Sequence, residues 1–340
     1  MRLATAFLGL VLASSAAAAP RVSLELATEK NFPLTGAQQW SRLLADAGIT
    51  NFRIRAATGA DRPLVEKFGD DKNPSYRVVG LLTAGNQLVV PGAKFSARDA
   101  AGIRNWLETL ADQGEAGVTE RRSAFGLLGK ELVEVQDDLK QSIDFSTTGM
   151  SLSDALKKLE NRLKFPLVID LVAKLETEQV TIEDNLLGVS AGTAIAVMLR
   201  PAGLAMSPER PRGGTLQYRV AKPVEGRESW PIGWPPEKKP IDILPALYEF
   251  INVEISDTPV KDAVDAIAER LKVPFLYDRN AMAWHEIDLT KVDATVPGKR
   301  STYSLILQKV LRQAMMKPEL RLDEAGKPFY WITTIKPIGR

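Results

Sequence analysis

The chain has 340 residues, with 44 basic and 42 acidic side chains, 45% hydrophobic residues and no cysteine. The absence of cysteine excludes disulfide bonds, thiolate metal ligands, a cysteine nucleophile and a lipid anchor on a cysteine. Charges of both signs are interspersed, whereas a nucleic-acid-binding protein concentrates positive charge on one surface. The composition therefore predicts a globular protein with two or three apolar cores and no nucleic-acid partner.

The first 20 residues have the pattern of a signal peptide. Arg2 supplies positive charge, residues 3–13 form an apolar segment, and Ala16 and Ala18 satisfy the small-x-small rule for cleavage. The apolar segment is too short to span a bilayer, and no later stretch reaches the required length. We expect a signal peptide over residues 1–18, cleavage after Ala18, no membrane span, and a periplasmic or secreted protein.

Residues 19–112 are predicted to form an N-terminal α/β module. Period-two alternation indicates strands near residues 22–26, 52–55, 76–82 and 87–90, the last two joined by a hairpin turn. Helices are predicted to begin after Thr35 and Ser96, which are typical N-cap residues. A connector and a helix over residues 127–139 are predicted for the following segment, residues 113–141.

The second half of the chain contains a repeat. Residues 154–170 (DALKKLENRLKFPLVID) and 262–278 (DAVDAIAERLKVPFLYD) match at an offset of 108 residues, and Leu199-Arg200 matches Leu311-Arg312 at an offset of 112. Repetition at a fixed offset indicates a duplicated structural unit. We therefore predict an α+β protein with two tandem βαββαββ modules, the first over residues 142–224 and the second over residues 241–340.

The two predicted modules resemble the secretin and TonB short N-terminal domain family. That family has an Ala-Leu-type helix, a strand ending on an acidic residue, a second apolar helix and a terminal hairpin. The matching residues are Ala155-Leu156, 168–170 and 194–199 in the first module, and Ala263-Val264, 276–278 and 305–311 in the second. The resemblance covers about half of the chain and implies a periplasmic recognition module, without the barrel that accompanies this domain in the family. The whole chain is also similar to uncharacterised secreted proteins of planctomycete bacteria, which implies no function.

Few residues have the spacing of a catalytic or metal site. His285 is the only histidine, and it has neither a second histidine four residues away nor a G-x-S-x-G motif elsewhere. We expect it to be an exposed loop residue. The carboxylate pairs Asp70-Asp71 and Asp323-Glu324 lack the spacing of a calcium loop and are expected in turns.

Asp170 and Asp278 occupy the same position in the two predicted modules, directly after a strand. A residue retained in both copies serves the common fold more plausibly than a single active site, so we expect each to cap the segment that follows. No catalytic residue, cofactor-binding residue or metal ligand is predicted.

The linker between the modules, residues 225–240, contains the segment WPIGWPP. Trp230 and Trp234 in this segment are the candidate partner contacts, because a stiff proline-rich strip with two indoles suits a partner's groove. The alternative, which we favour, is that at least one indole packs against a module, with Trp234 the more buried. The prolines are expected to keep the linker out of sheet pairing.

The function predicted from these patterns is that of an exported, non-enzymatic scaffold that binds an envelope or secreted protein partner, with exposed sheet edges as the contact surface. The alternatives are an envelope hydrolase or a glycan-binding protein. A deep pocket with carboxylates around His285 would favour the hydrolase. Glycan binding requires exposed tryptophan rings among Trp40, Trp106, Trp230 and Trp234.

Overall fold

The computed structural model describes residues 21–70 and 73–338. They form two compact units divided after Arg121, called here the N-terminal unit and the C-terminal unit. Both contain helices and small sheets, which confirms the α+β class. Within the described part of the chain, no helix combines the length and the apolar character needed to cross a membrane. The predicted signal peptide lies outside the described residues.

The N-terminal unit is a six-stranded mixed sheet with two helices. Its elements are β1 (Arg21–Thr28), α1 (Gly36–Asp46), β2 (Phe52–Ala56), β3 (Leu64–Phe68), β4 (Ser75–Leu82), β5 (Gln87–Val90), β6 (Ala93–Ser96) and α2 (Ala100–Thr119). Strand β1 lies between β2 and β4 and runs parallel to both. Buried residues of α1 and α2, among them Trp40 and Trp106, pack with Leu24 and Leu26 of β1 in one core.

Three features of this unit differ from the sequence prediction. Strands β3 and β6 were not predicted, because neither shows a long alternating pattern. Helix α2 is capped by Asp99, whose side chain accepts a hydrogen bond from the Gly102 amide, and not by Ser96. The helix also extends to Thr119, with a break at Gly114, through residues that were predicted to be a connector.

A buried carboxylate lies on the face of this sheet opposite to Leu24 and Leu26. Glu25 is 3% exposed and forms salt bridges with Arg53 and Arg55 of β2 and with Arg77 of β4. The hydrogen bonds from these arginines, that from Arg55 above all, lower the pKa of Glu25 to about 2 against the opposing effect of burial. The carboxylate therefore links three strands through charge-assisted hydrogen bonds.

We expect Glu25→Gln to destabilise the N-terminal unit above pH 5 and to have little effect near pH 2. A depressed pKa contributes stability that is present above the unfolded-state value and is lost as the pH falls through the folded-state value. The full shift of the Glu25 pKa corresponds to about 3 kcal/mol of unfolding free energy. Because the arginine side chains are in contact with water, we expect the substitution to lower the unfolding free energy by only about 1–2 kcal/mol.

Urea unfolding of the full chain between pH 2 and pH 7, monitored by hydrogen exchange of peptides from residues 21–56, measures this difference. Glu66→Gln is the matched control, because Glu66 also pairs with Arg77 but is half exposed, at a distance of 3.7 Å. A difference between wild type and Glu25→Gln that does not change with pH would contradict the electrostatic account.

The C-terminal unit contains the two predicted modules and the linker. Up to the linker its elements are α3 (Gly129–Leu139), α4 (Leu152–Glu160), β7 (Leu167–Ile169), α5 (Leu171–Gln179), α6 (Ala191–Leu199), β8 (Ala205–Glu209) and β9 (Gln217–Ala221). Beyond it they are α7 (Pro240–Ile243), β10 (Phe250–Pro259), α8 (Val260–Leu271), β11 (Phe275–Tyr277), α9 (Arg279–Trp284), β12 (Asp293–Thr302), α10 (Tyr303–Gln313), β13 (Met316–Leu322) and β14 (Pro328–Thr334).

The two modules pair their strands in the same way. The sheet order is β7-β9-β8 in the first module and β11-β14-β13 in the second, with one parallel and one antiparallel pair in each. Leu167 is paired with Tyr218, and Phe275, 108 residues after Leu167, is paired with Tyr330, 112 residues after Tyr218. Both offsets found in the sequence are therefore present in the strand register. This agreement is what a duplication predicts, while the duplication itself stays an interpretation.

The change of offset from 108 to 112 can be assigned to one segment. The amide of Leu152 donates to the Val180 carbonyl, and that of Val260 donates to the Val292 carbonyl. The segment after the short strand, β7 or β11, thus has nine residues in the first module, 171–179, and thirteen in the second, 279–291. Helices α5 and α9 lie in this segment.

The predicted order βαββαββ needs correction in both modules. Helices α5 and α9 were not predicted, and the strands predicted near Ile143 and Val180 in the first module are single bridges, Ser142 with Ser190 and Ser151 with Thr181. In the second module the corresponding residues form the full strands β10 and β12. The equivalent segments have ten residues each in both modules, and in the first module only their two ends are paired.

Candidate docking surface

Helix α6 is buried on all sides and joins the two modules. All nine of its residues are buried, as expected for a helix without a polar face. Leu276, Phe329 and Trp331, on one face of the second module's sheet, belong to the same apolar core as α6. Tyr277, Tyr330 and Ile332, on the opposite face, belong to the core of the second module. Helix α6 of the first module therefore covers one face of the second module's sheet.

Polar contacts attach α6 to the second module at both ends. At its N-terminal end, the Ser190 amide donates to Asp323 (3.1 Å) and the Thr193 hydroxyl donates to Glu324 (2.9 Å). Carboxylates are stabilised at a helix N-terminus by the free amides and the helix dipole. After its C-terminal end, Arg200 forms two hydrogen bonds with Asp278, at 2.7 and 3.0 Å. Asp323 and Glu324, which were predicted to be ordinary turn residues, thus hold the two modules together.

The linker packs against both modules through Trp230. This residue is 4% exposed, its amide donates to the Met206 carbonyl of β8 (2.7 Å), and its indole Nε1 donates to Glu324 (2.7 Å). Its ring stacks on Phe125 with centroids 5.4 Å apart. Burial raises the pKa of Glu324, against the opposing effect of these hydrogen bonds. The prediction that at least one indole packs against a module is confirmed.

Two details of that prediction are wrong. Trp234 is only partly buried, so Trp230 and not Trp234 is the more buried indole. Trp234 also forms an antiparallel bridge with Leu322 of β13, with both backbone hydrogen bonds at 2.9 Å. The linker therefore does join a sheet at one residue, because Trp234 keeps the amide that its proline neighbours lack.

The other residues considered in the sequence analysis, namely Asp170, Asp278, His285 and Asp70, take part in local structure. Asp278 caps α9 through the Ala281 amide, as predicted, whereas the side chain of Asp170 makes no capping bond and pairs with Arg219 instead. His285 is half-buried at the end of α9 and is not an exposed loop residue. Asp70 accepts a hydrogen bond from the Asn73 amide, and Asp71 lies outside the described residues. Within the described ranges, no three histidine or carboxylate residues are grouped as metal ligands.

An apolar groove lies on the outer face of the first module's sheet. It has a volume of about 720 Å³ and runs between α5, strands β7, β8 and β9, and the start of the linker. Leu171 is 82% exposed, Val172 63% and Val224 61%, and all three line the groove. A contiguous exposed apolar surface of this kind, rimmed by polar residues, is typical of an interaction site. This surface is called the groove of the first module below.

Charged side chains surround this apolar surface. Arg219 and Asp170, which both line the groove, are joined by two hydrogen bonds of 3.1 and 2.8 Å. The bonds from Arg219 lower the pKa of Asp170 below its ordinary value. Lys222 and Arg227 also line the groove and are more than half exposed, with partners 3.4 and 3.7 Å away. The lining thus carries three basic residues and one acidic residue.

Comparisons of this chain with protein-family models, with curated proteins and with solved structures found no match. The groove and the packing of the two modules are therefore the features from which a function can be inferred.

Sequence reasoning missed the groove because α5 was not predicted. Leu171, Val172 and Leu175 are on the solvent side of this helix, while the buried positions are Ala173 and Thr177. A helix with its large apolar residues outside has no stripe facing the core, and such a stripe is the main sequence signal for a helix. The signal that could have indicated the groove is the excess of aliphatic residues in this short segment next to a strand.

Proposed function

We propose that this chain is an exported, non-enzymatic scaffold that binds a protein partner in the groove of the first module. In this proposal the tandem modules are two copies of one unit, and together they hold the groove in a fixed shape. Export follows from the signal-peptide pattern of residues 1–18. The resemblance to the secretin and TonB short N-terminal domain supports a recognition role for the two modules.

The observation that carries this proposal is the difference between equivalent faces of the two sheets. In the second module, this face is covered by α6, and Leu276 and Trp331 are buried. In the first module, the equivalent residues by register are Val168, which is exposed, and Arg219, which lines the groove together with the exposed Leu171, Val172 and Val224. A sheet face that is covered in one module, and in the other is open beside exposed apolar side chains, is the expected contact surface for a partner.

The sheet edges are less suitable as a contact surface than the sequence suggested. The linker occupies the edge of β8 at Met206 and the edge of β13 at Leu322. Two of the four edge strands of the three-stranded sheets therefore already have a backbone partner at one residue each, which protects them there against pairing with another chain. For this reason the groove, and not a strand edge, is the proposed site.

The two alternative functions have weaker support. Trp40, Trp106 and Trp230 are buried, so their rings have no free face on which a sugar could stack. His285, on which a hydrolase would depend, is not among the residues that line the groove.

Photo-cross-linking tests the proposal. With a benzoylphenylalanine at position 172 of the mature chain, we expect a discrete adduct with an envelope protein, and we expect Leu171→Ser in the same chain to abolish it. Position 187 is the matched control, because Leu187 is 51% exposed and does not line the groove. Absence of an adduct at position 172, or the same adducts at both positions, would contradict the proposed function.

A further inference from the structure

The kind of partner that fits the groove can be inferred from how the second module is covered. There, a nine-residue apolar helix, α6, lies against the equivalent sheet face between Asp323 at one end and Asp278 at the other. The first module has the same strand order and register. A sheet face of this shape therefore accepts a helix, and in the first module no helix of the described chain covers it.

The charges differ between the two faces. In the second module the sheet offers the carboxylate of Asp278, and the helix supplies Arg200. In the first module the equivalent carboxylate, Asp170, is already paired with Arg219 of the same sheet. A helix that binds the first module therefore does not have to supply an arginine for Asp170, because Arg219 already neutralises this carboxylate.

Two exposed cations of the groove are Lys222 and Arg227. Both side chains are more than half exposed, and their ion pairs with Glu176 (3.4 Å) and Glu209 (3.7 Å) are long, so these pairs are weak and can be exchanged for others. Both basic residues lie beside the exposed Val224 at the end of the groove next to the linker. They suit carboxylates on a bound segment.

We propose that the groove of the first module binds an amphipathic helix of a partner protein that has acidic side chains beside its apolar face. This inference rests on the proposed function and specifies its partner. The apolar face of the helix contacts Leu171, Val172 and Val224, and its carboxylates face Lys222 and Arg227. Helix binding in an apolar groove is a common mode of protein recognition.

Two synthetic peptides of about 18 residues, or five helical turns, test this inference. They share one apolar face of leucine and alanine, and their flanking positions are all glutamate in one peptide and all lysine in the other. Binding of each fluorescently labelled peptide to the mature full chain is measured by anisotropy. We expect the glutamate peptide to bind roughly tenfold or more tightly than the lysine peptide, and this preference to weaken between about 50 and 300 mM salt.

Variants separate the apolar from the electrostatic contribution. Leu171→Ser is expected to weaken binding of the glutamate peptide roughly tenfold, as for the loss of one apolar contact, whereas the control Leu187→Ser leaves it unchanged. The double variant Lys222→Glu, Arg227→Glu is expected to reverse the preference between the peptides. All four residues are more than half exposed, so these variants should fold and melt as wild type does.

Failure of this inference can be distinguished from failure of the proposed function. Absence of saturable binding of either peptide, equal binding of both, or insensitivity to Leu171→Ser overturns the acidic-helix inference. If the adduct at position 172 persists in that case, the groove binds a partner of another kind. If the adduct is absent as well, both proposals fail.

Discussion

Trp230→Ala is expected to lower the free energy of unfolding of the C-terminal unit by about 3 kcal/mol or more, as for the loss of a core aromatic side chain. Trp230 contacts both modules: its amide donates to Met206 of the first module, and its Nε1 donates to Glu324 of the second, while its ring stacks on Phe125 of the connector. Removal of the ring leaves a cavity at the junction and also leaves a largely enclosed carboxylate without one of its donors, which adds to the cost.

Urea unfolding of the full chain, with Trp284→Ala as the matched control, measures this effect. Trp284 is 63% exposed, and its replacement is expected to change the stability by less than about 0.5 kcal/mol. Trp230→Phe separates the two contributions, because phenylalanine retains an aromatic ring but has no donor for Glu324. Equal stabilities of Trp230→Ala and Trp284→Ala would show that the linker does not hold the modules together.

Leu159→Ala and Ile267→Ala are expected to be equivalent lesions that each cost about 2–5 kcal/mol, as for other buried large-to-small replacements. The two residues are 108 positions apart, on α4 and α8, and are 2% and 7% exposed. Because α6 belongs to a core that both modules share, we expect either lesion to lower one common unfolding transition and not to melt a single module.

Thermal and urea unfolding of the full chain, followed by circular dichroism, test this expectation. Val133→Ala on α3 is the control, since Val133 is 56% exposed and its loss should be nearly neutral. A loss below about 0.5 kcal/mol for either buried residue would mean that its helix, α4 or α8, does not face a core at that position. Separate transitions for the two modules of the C-terminal unit would contradict the expected common transition.

Much of the fold could be predicted because its signals are local. Period-two alternation gave β1, β2, β4 and β5 within a residue or two of their actual ends. The offsets of 108 and 112 anticipated the strand register of the two modules. These features depend on neighbouring residues or on direct comparison of two segments, both of which a sequence provides.

The docking surface could not be predicted in this way, because it depends on which faces remain uncovered after packing. Nothing near Val168 indicates that it is exposed while its counterpart Leu276 is buried by a helix from elsewhere in the chain. One signal was available for the junction. Residues 191–199 (AGTAIAVML) have no polar side, whereas the equivalent helix 303–313 (YSLILQKVLRQ) has one. That contrast predicts which of the two helices is enclosed between layers.

The difference between α6 and α10 determines the order in which the two modules can follow each other along the chain. The first module cannot be the C-terminal one, because without a following module α6 would expose an apolar side to water and promote aggregation. The second module can stand last, because α10 presents Gln308, Lys309 and Arg312 to solvent. Exchanging the two modules by recombination would therefore yield an insoluble product even though every strand pairing were kept. A third copy could be added only ahead of the first module, and it would have to bring its own counterpart of α6.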